Sequence, residues 1–191
     1  MTGAYTTPID LTDFSSAARK QISFRLTRMV ARFDIVNDAD KSKFTVEQIS
    51  MGNGRLGASF FPIQPLAVDA PADLITYPVR SIGTETQQAP NPDTGVTNVT
   101  KGAFYTWPSP KDDEGYLTLK GRYQVNKTES KEVSYRIPFK QSNNGVGTYI
   151  EVNHNHRYTI AITTSPSTWR TGMTTNSPTL TNRTTSSTKT G

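Results

Sequence analysis

From Tyr116 to Thr163, apolar and polar side chains take turns along the chain. Leu117, Leu119, Tyr123 and Val125 share one parity, with Thr118, Lys120, Arg122 and Gln124 on the other. Val133, Tyr135, Ile137 and Phe139 repeat the pattern, and Tyr158, Ile160 and Ile162 repeat it again. A period of two sends alternate side chains to opposite faces of a sheet, so each run has one face to bury and one for water. The links KTESKE and KQSNNGVG are rich in Lys, Ser, Asn and Gly, as hairpin loops are. The stretch predicts an antiparallel meander with one face against a core.

Upstream, Ile22, Phe24 and Leu26 share one parity, whereas Met29, Ala31, Phe33 and Ile35 share the other. The phase flips near Thr27–Arg28, as one extra residue in a β-bulge would make it. The segment 22–36 is therefore expected to be one long bulged strand, closed by a turn at Asn37-Asp38-Ala39-Asp40. Phe44, Val46, Ile49 and Met51 predict a second broken strand, paired with the first and ended by Gly52-Asn53-Gly54. Ala58–Ile63 predicts a short edge strand, interrupted by Pro62. From Pro65 to Lys101 the chain is rich in Pro, Gln, Asn, Thr and Gly around one apolar island, Leu74–Val79. Excursions of this length are functional or mobile as a rule. Ala103–Trp107 returns to strand character and stops at Pro108.

The ends differ from the middle. Residues 1–21 read as a polar arm, with a short helical turn over Ser15–Lys20 capped by Asp13. Residues 164–191 hold 16 Ser or Thr out of 28 and no alternation, so burial cannot offset the entropy of ordering them. The organisation expected is an arm (1–21), one all-β antiparallel sandwich domain (22–163) and a disordered Ser/Thr-rich tail (164–191).

Composition narrows the chemistry. The chain has 191 residues, no cysteine, 34% hydrophobic residues and a net charge of +5. Without cysteine, disulfides, thiolate zinc sites and thiol nucleophiles are excluded. The positive charge does not predict nucleic-acid binding. Acids end at Glu151, so residues 1–163 carry 18 bases against 16 acids, with no Lys/Arg cluster to track phosphates. No run approaches the ~20 apolar residues of a membrane helix. MTGAYTTPID has neither a basic start nor an apolar core, as expected of a mature, trimmed or truncated chain, or of an intracellular one.

There is no GxSxG elbow, HExxH, P-loop or GxGxxG. His154 and His156 would share a strand face, and a metal would need a third ligand such as Glu151. A polar lead-in to a strand accounts for them without a metal. Asp112-Asp113-Glu114 has the oxygens for calcium, or for a hydrolase if two carboxyls faced each other across a groove, but reads first as a solvated loop. Arg28, Arg32 and Arg136 are expected to pair with Asp34 or Glu47 across neighbouring strands. Tyr105, Trp107 and Tyr116 are candidates for a sugar-stacking platform; the alternative is that they cap the core. Asn98-Val-Thr, Asn126-Lys-Thr and Asn182-Arg-Thr match the glycosylation sequon of eukaryotic secretory proteins. No enzyme activity and no cofactor are implied.

Two blocks carry a family resemblance. One is Leu26–Ile35 followed by Phe44–Asn53 and Phe60-Phe61-Pro62. The other is Ala103–Trp107, Leu117–Tyr123, Tyr135–Phe139 and Ile150–Ile162, centred on Asn155-His156-Arg157-Tyr158-Thr159-Ile160. In order and spacing the pair resembles the fimbrillin-type proteins of Bacteroidales, over residues 22 to 163. The resemblance implies a transthyretin-like β-sandwich, export to the cell surface or outer membrane through a lipid anchor, and assembly into fimbriae by strand exchange. The implied partners are other fimbrial subunits or host surface molecules. Strand exchange is β-augmentation, in which a neighbour's extended segment completes a sheet. Ile22, Phe24 and Leu26 are the candidate exchangeable strand. The tail after Thr163 does not alternate and is not expected to donate. A glycan-binding module on the same fold, reading sugars through Tyr105, Trp107 and the 65–101 loop, is the alternative.

Overall fold

The structure, a computed structural model, describes residues 1, 23, 26–58, 73–95, 97–143, 146–162 and 180–181. Ten strands, one α-helical turn and two 3-10 turns (Glu85–Gln87 and Lys111–Asp113) occur among them: β1 (Ala31–Asn37), α1 (Ala39–Ser42), β2 (Phe44–Gly52), β3 (Arg80–Ser81), β4 (Val99–Thr106), β5 (Tyr116–Gln124), β6 (Ser130–Pro138), β7 (Lys140–Asn143), β8 (Val146–Tyr149), β9 (Arg157–Ile162) and β10 (Leu180–Thr181). One four-stranded sheet has the order β10-β9-β1-β4 and another the order β3-β2-β5-β6, while β7 and β8 form a separate hairpin.

The two sheets share one apolar core, as in a sandwich. Phe33, Ile35, Phe104, Tyr158 and Ile160 enter it from the first, and Val46, Ile49, Leu117, Leu119 and Ile137 from the second. Phe33 stacks between Phe139 and Tyr158, with both centroids 5.2 Å away. Each fully buried side chain of this size contributes about 1.5–3 kcal/mol. The face expected from the alternations at Ala31–Ile35, Phe44–Met51, Leu117–Leu119, Ile137–Phe139 and Tyr158–Ile160 is the face buried, whereas Leu26 and Val125 are exposed; the all-β reading stands.

Strand neighbours depart from expectation. The residues from 116 to 162 are not one meander: β5 and β6 form a hairpin, whereas β9 crosses to the other sheet and runs parallel to β1. The first sheet is thus mixed rather than antiparallel. The crossing runs through Val152, buried in the core and bridged to Ser109. Likewise β2 does not pair with β1. The expected turn at 37–40 is followed by the helical turn α1, capped by the Asp38 carboxylate on the Lys41 N–H and closed by Lys43 in the left-handed region. This sends β2 into the second sheet, against β5.

The long first strand is also shorter than expected. It begins at Ala31, after a bend at Met29–Val30, and its register shift lies at Asp34 rather than at Thr27–Arg28. There the Asp34 carboxylate stands in for a ladder partner. It accepts the Gly102 N–H at 2.7 Å and takes the Arg32 guanidinium in a two-pronged bond of 2.7 and 2.9 Å. Gly102 sits at φ +63°, a conformation a glycine adopts without penalty. The Arg32–Asp34 pair therefore runs along one strand, not across two. Glu47 does pair across strands, with Arg122. The arm beyond Met1, with its helical turn at 15–20, residues 59–63 of the expected edge strand, and Ile22 and Phe24 lie outside the described residues.

Candidate interaction site

Of the excursion expected to be functional or mobile, the described residues from 75 to 87 lie along the outer edge of β2. Gly54 and Ile75 exchange backbone bonds, the Tyr77 N–H donates to the Met51 carbonyl, β3 pairs with Gln48 and Ile49, and the Ile82 N–H donates to the Glu47 carbonyl. At the next position no backbone arrives. Instead the Gln87 carboxamide, 1% exposed, acts as a peptide group. Its Oε1 accepts from the Val46 N–H and from Asn37 Nδ2, each at 2.9 Å. Its Nε2 donates to the Val46 carbonyl at 2.6 Å and to the Gly83 carbonyl at 3.2 Å. Asn37 in turn donates to the Phe44 carbonyl and accepts from Ser42 Oγ. Every polar atom of the Gln87 amide is thus satisfied, as burial demands.

One end of the sandwich gathers several sequence candidates around a residue the sequence did not point to. Arg55 is buried and makes a two-pronged pair with Asp113, at 2.6 and 2.9 Å. Ser109 Oγ donates to the same carboxylate at 2.9 Å. The Asp113 hydrogen bonds, outweighing the penalty of burial, hold the Arg55 pKa above its ordinary value. The Tyr77 hydroxyl donates to the Arg55 carbonyl and accepts from Thr106 Oγ1 and the Trp107 N–H. Of the acidic triplet, Asp113 is thus a buried structural partner, not part of a solvated loop, and Glu114 closes the turn in the left-handed region.

The three aromatic candidates do not meet on one platform. Tyr105, 44% exposed, points outward from the first sheet beside Arg32 and Asp34. Trp107 is half-buried just beyond β4. Tyr116 lies on the outward face of the second sheet, packed over Gly52, with the Arg136 guanidinium 3.5 Å from its ring centroid. The His156 ring contacts the His154 carbonyl, and no three His, Asp or Glu side chains gather as a metal site among the described residues. At the far end a polar cleft of about 310 Å³, lined by Asp40, Lys43, Arg122, Gln124, Lys127 and Glu129, carries both signs of charge.

The exposed backbone edges are the other candidate site. Leu26, the described member of the exchangeable strand, is 59% exposed and lies outside every strand. Beside β9, among the described residues, the first sheet is extended only by the two residues of β10, where Leu180 faces Ile160 and Thr181 faces Thr159. Most of the tail falls outside the described residues, but this piece of it is a strand. The Arg32 N–H donates to the His156 carbonyl, so the even-numbered residues of β9 bond to β1 and the odd-numbered ones point to the β10 side. No helix among the described residues is long and apolar enough to cross a membrane. Compared with known protein families, characterised proteins and solved structures, the chain matches none.

Proposed function

We propose that the protein is a non-enzymatic structural or adhesion module of the bacterial surface, a fimbrillin-like subunit or a tip or anchor component of a fimbrium. In this reading the sandwich is of the transthyretin-like kind and joins its partners by β-strand addition. The observation that carries the reading is the β9 edge, which among the described residues β10 covers at Thr159 and Ile160 alone. A two-residue strand contributes few ladder bonds, so an extended segment from a neighbour can displace it at small cost and continue along β9. Heterologous contacts of this sort repeat head to tail.

Cross-linking of the full chain and of a variant ending at Thr163 tests this. Strand addition predicts regular ladders that rise with concentration and are stronger in the shortened chain. A single monomer band from both, at every concentration, refutes it. A second reading, glycan binding, is favoured by the exposed Tyr105 ring beside the Arg32–Asp34 pair. It predicts saturable protection of tryptophan fluorescence by host glycans, lost in Tyr105→Ala.

A further inference from the structure

β6 forms the other edge of the second sheet, with β5 its only strand partner among the described residues. The hairpin fixes which way its backbone points. The Phe139 N–H donates to the Gly115 carbonyl, and the Glu129 carbonyl accepts from the Val125 N–H. Odd-numbered residues therefore bond to β5, and Glu132, Ser134 and Arg136 turn both N–H and C=O to the open side. Pro138, which has no N–H, falls on that side too, where a proline is tolerated. Long edges are commonly blunted by bulges, prolines or inward charges. β6 keeps an unbroken register with β5 over nine residues and carries such groups only near its ends, Lys131 and Pro138.

The charges on this edge are self-complementary. Glu132 and Arg136 stand two positions either side of Ser134, both on the outward face; Arg122 lies opposite Glu132 across the β5–β6 ladder but pairs with Glu47, and neither Glu132 nor Arg136 forms an ion pair among the described residues. We propose that β6 pairs antiparallel with β6 of a second copy about a two-fold axis at Ser134, joining two four-stranded sheets into one. In that register Glu132 faces Arg136 of the second copy, and Arg136 faces its Glu132. Both lie at hydrogen-bonded positions, as does the central Ser134–Ser134 pair, so each pair exchanges both backbone bonds. Val133 falls opposite Tyr135 on the core side. Arg136 is held on the outward face by the Tyr116 ring beneath its guanidinium. The contact is isologous and closes at two copies, unlike the head-to-tail addition proposed at β9.

Sedimentation velocity on the full chain tests this, with Glu132→Arg and Arg136→Glu variants. Either reversal alone places like charges opposite each other twice per dimer and is expected to weaken dimerisation about tenfold or more. Mixing the two variants restores opposite charges at both positions and is expected to restore dimerisation, as is the double reversal in one chain. Ser134→Pro removes an N–H that only the partner uses and abolishes the dimer. A wild-type chain that stays monomeric, reversals without effect, or a mixture no tighter than its components each overturn the proposal. If Ser134→Pro fails to fold, the mixing experiment still decides. Ladders beyond two copies that persist in the reversal variants belong to β9, so the two assembly modes are separable.

Discussion

Replacing Gln87 with Ala removes a side chain that serves as a length of strand. The Val46 N–H and C=O point away from β5 and meet nothing but the Gln87 amide, in a region where Val46 is fully buried. Losing the partner of a buried backbone group costs about 1–3 kcal/mol. Two such groups, with Asn37 Nδ2 keeping its bond to the Phe44 carbonyl, put the expected loss at about 2–6 kcal/mol. Against a domain stability of about 5–15 kcal/mol that is a large fraction. Gln87→Glu should be worse, because it sets a carboxylate oxygen against the Val46 carbonyl and buries a charge. Gln87→Met keeps the length but not the polar atoms and should behave like Ala. Urea unfolding reads the effect as a fall in midpoint with little change in slope, and amide exchange at Val46 should quicken in step. A Gln87→Ala or Gln87→Met chain within about 0.5 kcal/mol of wild type would refute the strand-mimic account.

Three further outcomes follow from the same geometry. Arg55→Ala or Asp113→Ala takes the opposite charge away from a buried ion and should cost about 3–5 kcal/mol in urea unfolding, whereas Arg55→Met with Asp113→Leu should lie much nearer wild type. Gly102→Ala, forced to hold φ +63° beside the Tyr105 hydroxyl, should lose about 1–2 kcal/mol and loosen the Asp34 bulge, read as faster exchange of the residue-102 amide. Burial pushes the Tyr135 and Tyr158 hydroxyls above the ordinary tyrosine range. Because the folded-state values are raised, their contribution is intact below about pH 10 and is lost as pH climbs towards the folded values, so the stability–pH curve of Tyr135→Phe should fall less steeply there.

What could be read in advance follows from what alternation encodes. The parity of Leu117, Leu119, Ile137, Phe139, Tyr158 and Ile160 named the buried face, and these residues are buried. Parity does not name a neighbour. Nothing in Arg157–Ile162 distinguishes a third meander strand from one lying parallel to β1, because both bury the same side chains. The flip at Thr27–Arg28 had the form of a bulge, yet the register shift occurs at Asp34, where a carboxylate replaces a backbone partner. Gln87, Arg55 and the burial of Asp113 were hidden for a related reason. A buried polar residue in a polar loop has no periodic signature, and only its partners across the fold give it meaning. Arg55 follows Gly52-Asn53-Gly54 directly, and a cation beside so tight a turn was the one local hint.

The most direct test of strand addition is residue-resolved amide exchange on β9, in the chain alone and with a neighbour's strand supplied as cross-linked ladder. The account predicts that the amides of Thr159 and Ala161, which face β10, exchange well before those of Tyr158 and Ile160, which face β1, and become protected in the ladder. Equal and full protection of all four in the isolated chain, unchanged on assembly, would mean that the β9 edge is closed and the proposed function is wrong.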